Sequence, residues 1–249
     1  MDVSWVNGSA ELADKAAQVL LRLLEDKPDA TIALPTGNTP LGLYHQLRAL
    51  HAAGRLHCTQ ARFFNLDDFA GKGVDDPQSY GAFLWRHVFR PLDIKSEQVR
   101  LLRGDASDTG AECRSFDQAI ADAGGLDLAI LGLGANGHVA FNEPGSARDS
   151  PTREVSLTDE TRHAQQGLYK RVSDVPLRGL TMGLRTIRDA RQILLLVSGA
   201  AKADALQRFL ARKEDMNWPV TALADHPRLH VIADKSLASR SSGSDDPRS

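Results

Sequence analysis

The sequence predicts an α/β domain built on an open, largely parallel sheet with helices on both faces, a Rossmann-like arrangement. Two observations carry this. Residues 125–132 and 192–198 are almost continuous apolar runs of strand length, as strands covered on both faces require. Segments of helical periodicity alternate with such runs through most of the chain, the pattern of strand-helix-strand units.

The elements follow in order. Ser9 is placed to cap a first helix through Leu12, Ala16, Leu20 and Leu24 that Pro28 stops. Residues 30–34 read as a buried strand, and Pro35-Thr36-Gly37-Asn38-Thr39 as a turn into a helix with Thr39 as cap and Pro40 in its first position. A second strand, 61–65, ends in Leu66-Asp67-Asp68-Phe69. Helical spacing returns at 80–89 and 111–123, with a weak strand at 99–102 between them. The central strands 125–132 and 192–198 follow, then a last strand at 229–233. The expected organisation is one domain over 1–235 with a mobile lid at about 156–176, and a disordered tail at 236–249, where Ser, Asp, Arg and Gly leave almost nothing to bury.

Composition narrows the function. Thirty Lys and Arg against 32 Asp and Glu leave a net charge of −2 over 249 residues, so no broad positive field exists to hold a nucleic acid or an anionic membrane. The longest apolar runs fall well short of the roughly 20 residues that span a bilayer. The first residues carry Asp2 where a signal peptide is basic, and Cys58 and Cys113 suit free thiols. The chain therefore reads as cytoplasmic with a small-molecule substrate.

Three constellations offer chemistry. Thr36, Gly37, Asn38 and Thr39 lie between a strand and a helix, where backbone N–H groups and the helix dipole favour an anion, though an ordinary capped turn fits equally. No Gly-Lys-Ser/Thr follows, which excludes a nucleotide P-loop. Gly132, Gly134 and Gly137 match G-x-G-x-x-G, but Pro144 arrives within about two turns, too soon for the long helix of a dinucleotide site. His138 and Glu143 share one short loop, an arrangement for proton transfer near neutral pH, and Asp67 adds a carboxylate at another strand end. A lone His or a strand-end acid pair is also a common structural feature. The spacing for a metal site and the G-x-S-x-G of a nucleophilic serine are both missing.

Leu34-Pro35-Thr36-Gly37-Asn38-Thr39-Pro40, Phe64-Asn65-Leu66-Asp67-Asp68-Phe69, Ala111-Glu112-Cys113-Arg114 and, most specifically, residues 134–145 resemble the glucosamine-6-phosphate deaminase (isomerase) family. The likeness spans about residues 30–235. The related 6-phosphogluconolactonases lack the Phe-Asn-Glu-Pro element found here at 141–144. The resemblance implies a cofactor-free and metal-free conversion of glucosamine 6-phosphate and water to fructose 6-phosphate and ammonia, in amino-sugar catabolism. It implies Asp67 as the base at C2, His138 as the acid/base that opens the ring, Glu143 as its orienting carboxylate, and Asn136 as a hydrogen-bonding assistant. Thr36, Gly37, Asn38 and Thr39 would hold the phosphate with Lys202.

Two positions depart from the family pattern. Gly167 stands where the family commonly has an Arg that binds phosphate, so that either Arg162, Lys170 or Arg171 substitutes, or the phosphate is held less tightly, or the preferred substrate differs. This gap also occurs in sequences resembling galactosamine-6-phosphate deaminases, which keeps that epimer as the alternative, followed by 6-phosphogluconolactonase and a phosphosugar sensor without catalysis. Val155 replaces the Lys that regulated members use for an N-acetylated activator, so strong activation is not expected, and a monomer or a homo-oligomer fits equally.

Overall fold

The computed structural model describes residues 1–165 and 167–242. Its strands in chain order are β1 (Asp2–Val6), β2 (Thr31–Leu34), β3 (Arg62–Asn65), β4 (Asp67–Phe69), β5 (Val99–Arg100), β6 (Leu128–Gly132), β7 (Arg153–Ser156), β8 (Arg178–Thr181), β9 (Ile193–Val197) and β10 (Leu229–Asp234). Seven of them form one parallel sheet in the order β1-β10-β9-β6-β2-β3-β5. The chain runs outward from β2 through β3 to β5, returns to β6 on the other side of β2, and continues outward through β9 and β10. That reversal makes the crevice at the C-terminal ends of β2 and β6 the place where such sheets bind ligands.

The helices are α1 (Gly8–Asp26), α2 (Leu41–Ala52), α3 (Tyr80–Leu84), α4 (Thr109–Asp122), α5 (Asp159–Ala164), α6 (Leu184–Arg188) and α7 (Ala203–Leu210). The apolar runs serve both faces because side chains alternate across a strand. Leu128, Ile130, Leu194 and Leu196 pack with α1 and α2, while Ala129, Leu131, Ile193, Leu195 and Val197 pack with α4, α6 and α7. None of the described helices is long and apolar enough to cross a membrane.

The structure differs from the sequence expectation at several places. Asn7, not Ser9, precedes α1, and its backbone N–H and side-chain amide donate to the Glu11 carboxylate at 2.7 and 3.0 Å. Pro40 holds the cap position of α2, so Thr39 lies outside the helix. The helix expected over 80–89 passes from α3 into a π turn, Trp85–Phe89. Strand β1 was not anticipated. Nor was the second sheet, where β4 leaves the end of β3 and pairs antiparallel with β8, which pairs in turn with β7. The tail expected from Ser236 begins as a 3-10 helix, Lys235–Ser242, because Leu237 is only 2% exposed and joins the core. The rest of that expectation, 243–249, lies outside the described residues.

Asp127 ties the N-terminal side of the sheet together. Buried just before β6, its carboxylate accepts from Lys27 Nζ at 2.7 Å, the Thr31 N–H at 2.9 Å and Arg191 Nη1 at 3.1 Å. The lysine and arginine partners reach solvent, so losing the carboxylate strands chiefly the Thr31 donor. Asp127→Ala is expected to lower the unfolding free energy by about 1–3 kcal/mol in urea titrations; an unchanged midpoint would contradict this.

Candidate active site

A cleft of about 840 Å³ opens at the C-terminal edge of the parallel sheet. Its walls come from four successive strand ends: residues 35–40 after β2, Asp67 after β3, Gly134 and His138 after β6, and Ser198 and Lys202 after β9. Ala164, Gln165, Gly167 and Leu168 cover one side.

At one end, Thr36, Gly37, Asn38 and Thr39 all line the cleft. Gly37 adopts φ +97°, a left-handed conformation that side-chain-bearing residues disfavour. Buried Tyr44 donates its hydroxyl to the Pro35 carbonyl and so pins the turn to α2. No side chain caps α2; the Leu41 N–H donates to the Asn38 carbonyl at 3.3 Å, and the remaining first-turn N–H groups, at the positive end of the helix dipole, are left for an anion. Lys202, on the 3-10 turn Ala200–Lys202, reaches the same cleft and forms no salt bridge with a described residue. Burial lowers its pKa, while Glu160 acts in the opposite sense. His45, one turn along α2 from Gly42, also lines this wall, and sequence reasoning missed it because only its helical spacing from the turn points to it.

Arg162 corrects the expectation. It does not line the cleft: Nη2 donates to the Val172 carbonyl at 3.0 Å and Nη1 to Asp159 at 3.1 Å, so the guanidinium braces the covering segment from within. Arg171 pairs with Asp174 at 2.9 Å, and Lys170 is exposed away from the cleft lining. None of the three takes the place left by Gly167.

Asp67 stands deeper. Fully buried Asn65 donates from Nδ2 to the Asp67 carbonyl at 2.8 Å and accepts the Leu102 N–H at 2.9 Å, which locks the step from the large sheet into β4. Burial pushes the Asp67 carboxyl well above the usual carboxylate range, and neighbouring Asp68 adds to this. Asp68 has a different task. It accepts the N–H groups of Phe69, Tyr80 and Gly81 at 2.8, 2.9 and 2.9 Å, anchoring the start of α3, and burial raises its pKa to about 7 against those donors.

The loop after β6 carries the third group. A Cβ on Gly134 would fall 2.3 Å from the His138 ring, and one on Gly137 would fall 2.9 Å from Trp218; glycine is needed at both. No helix starts after Gly137. Instead Val139 and Asn142 form an isolated antiparallel bridge, in keeping with the rejection of a dinucleotide motif. His138 Nδ1 lies 2.7 Å from Asn136 Oδ1, and Asn136 Nδ2 donates to Glu143 Oε2 at 3.1 Å, whereas Nδ1 and Glu143 are 4.0 Å apart. A carboxylate only accepts, so the Asn136 amide must turn its nitrogen to Glu143 and its oxygen to His138. His138 then donates from Nδ1, and Nε2 keeps its lone pair. Glu143 acts on the ring through Asn136, and the Thr158 N–H steadies its other oxygen at 3.3 Å. Tyr80 and Gln165, also unforeseen, meet across the cleft at 2.8 Å.

Burial pulls the His138 pKa from its ordinary 6.5 down to about 4, with Glu143 opposing the shift and Lys202 reinforcing it. The ring is therefore expected to be neutral at pH 6. Because the folded value is depressed, its contribution to stability is lost as pH falls from about 6.5 to about 4. Histidine NMR titration should give a midpoint near 4 for this ring, lowered further in Glu143→Gln; a midpoint near 6.5 in both proteins would refute the burial account.

Residues 7–231 match the family model of glucosamine-6-phosphate isomerases/6-phosphogluconolactonase. The chain is 39% identical over 229 residues to a glucosamine-6-phosphate deaminase of Thermoanaerobacter pseudethanolicus, covering 92% of this chain and 90% of that one. It is 38% identical over 229 residues to glucosamine-6-phosphate deaminase 1 of Bacillus subtilis, covering 92% and 95%. Among solved structures, a monomeric glucosamine-6-phosphate deaminase superposes with a TM-score of 0.94 at 37% identity over 96% of this chain and 99% of that one. The 6-phosphogluconolactonase of Thermotoga maritima, at 21% identity and a TM-score of 0.72, shares the fold. The chain belongs to the glucosamine-6-phosphate isomerase/6-phosphogluconolactonase family.

Proposed function

We propose that this protein is a glucosamine-6-phosphate deaminase that converts glucosamine 6-phosphate and water to fructose 6-phosphate and ammonia. The observation that carries the reading is the His138–Asn136–Glu143 relay, whose His138 end lines one cleft with Asp67 and with the turn that leads into α2, Asn136 and Glu143 lying behind it. The full-length relatives at 38–39% identity bear the same name, and this favours the glucosamine epimer over the galactosamine alternative. The lactonases share only the fold.

The geometry divides the work between the two ends of the cleft. The turn 36–39 and Lys202 hold the phosphate, and His45 adds a third polar group to that wall. The sugar then extends toward His138 and Asp67. Neutral His138 accepts the proton of the C1 hydroxyl at Nε2 and returns it to the ring oxygen, which opens the ring. Glu143, through Asn136, stabilises the imidazolium formed in passing. Asp67 removes the C2 proton from the open-chain aldehyde to give an enolamine. Its desolvated carboxylate is a stronger base than an exposed one. Reprotonation at C1 leaves an imine at C2, and water releases ammonia and the ketone. The amine and carbonyl of the substrate supply the electron sink, so these steps call on neither a cofactor nor a metal.

Segment 156–176 serves as a lid. Among its described residues, contacts to the rest of the chain include the Tyr80 hydroxyl on Gln165, the Tyr169 hydroxyl on the Gln78 carbonyl at 3.3 Å, the Thr161 hydroxyl 3.3 Å from His138 Nδ1, and the edge-to-face contact of Tyr169 with Phe69. The protein acts as a monomer, as the similar structure does, without strong activation by an N-acetylated amino sugar because Val155 offers no charge to pair with one.

Ammonia release from glucosamine 6-phosphate and galactosamine 6-phosphate, measured beside acid release from 6-phosphogluconolactone, tests the reading. Glucosamine 6-phosphate is expected to be the preferred substrate, and Asp67→Asn to lower kcat by about 10³ or more. Binding without ammonia from either amino sugar would overturn the assignment. In a second assay, Lys202→Ala is expected to raise KM by about tenfold or more with a smaller change in kcat, since it removes a charge-assisted contact to the part of the substrate that does not react.

A further inference from the structure

We infer that Arg153 is a positioning residue for proton transfer, holding the His138–Glu143 loop at a set distance from Asp67. This rests on the roles given above to Asp67, His138 and Glu143. In the small sheet, Asp67 of β4 lies opposite Thr181 of β8, and Thr181 lies opposite Arg153 of β7. Directly opposed residues of an antiparallel sheet share a face, so the three form one row.

Two members of the row grip the loop on either side of Glu143. The Thr181 hydroxyl accepts the Phe141 N–H at 3.1 Å. Arg153 donates from Nη1 to Asn142 Oδ1 at 2.9 Å and from Nη2 to Ser146 Oγ at 2.9 Å, spanning the residue before Glu143 and the turn after it. The Asn142 amide donates to the Val139 and Met182 carbonyls at 3.0 and 2.8 Å, which carries the grip back to β8. The third member of the row is the base itself. The sheet thus links the two proton-transfer groups through ladder bonds and a planar guanidinium, whose two-armed geometry a lysine cannot reproduce. Arg153 does not line the cleft, so its effect reaches the substrate only through the loop.

The test uses the full chain with Arg153→Met and Arg153→Lys, each also combined with Asp67→Asn. Blocking C2 chemistry with Asp67→Asn leaves ring opening visible as exchange between the α and β anomers of glucosamine 6-phosphate, read by exchange NMR. Arg153→Met is expected to lower kcat about tenfold with KM within about twofold, and to slow anomer exchange by a similar factor in the Asp67→Asn background. Arg153→Lys should recover part of both. If the Met variant does not fold, the Lys variant and Ser146→Ala, which removes the Nη2 partner, carry the same expectation. Unchanged kcat, a change in KM alone, or a lower kcat with unaltered anomer exchange would each overturn the inference. Absence of ammonia release by the parent protein, run in the same assay, would instead overturn the assigned activity and this inference with it.

Discussion

Parallel alignment of the seven central strands is the constraint on which the rest of this structure depends. It brings every strand end in the large sheet to one edge, together with the polar groups that follow each strand. The turn after β2, the carboxylate after β3, the glycine-folded loop after β6 and the lysine after β9 are scattered over some 170 residues of sequence, yet they face one cleft. The reversal of strand order between β2 and β6 opens the crevice between the turn 36–39 and His138.

Burial then tunes the proton affinities in that cleft. It raises the pKa of Asp67 and lowers that of His138, which strengthens the Asp67 carboxylate as a base and keeps the His138 ring neutral. Lys202 and the N–H groups of the first turn of α2 beyond Leu41 are left to attract an anion. With a net charge of only −2 spread over the whole chain, substrate capture is a local matter rather than one of long-range steering. Asn136 gives the arrangement its sense. An amide can bridge an imidazole and a carboxylate without moving a proton between them, which fixes the tautomer that leaves Nε2 open.

Much of this was legible in the sequence because it rests on local signals. The runs 125–132 and 192–198 became β6 and β9, and the turn 36–39, Asp67 and His138 each follow a segment legible as a strand, whereas Lys202 was implied only by the family resemblance. What escaped depended on pairing between distant segments. Strand β4 has only three residues and no apolar alternation of its own; its partner β8 lies more than 100 residues away. Arg162 looked available for phosphate by its place in the sequence, yet its guanidinium turns inward to carbonyls of the lid that no local pattern marks. His45 and Tyr80 sit on helical faces whose exposure only packing decides. Leu237, one apolar side chain in a polar stretch, was enough to seat residues that composition alone assigned to a tail.

The most direct measurement of the central claim is a crystal structure with the open-chain amino-alditol 6-phosphate bound. Its phosphate is expected on the N–H groups of 36–39 and on Lys202, its C2 within about 3.5 Å of the Asp67 carboxylate, and its C1 and C5 hydroxyls at His138 Nε2. A phosphate held elsewhere, or a chain running in the opposite direction with C2 away from Asp67, would contradict the claim.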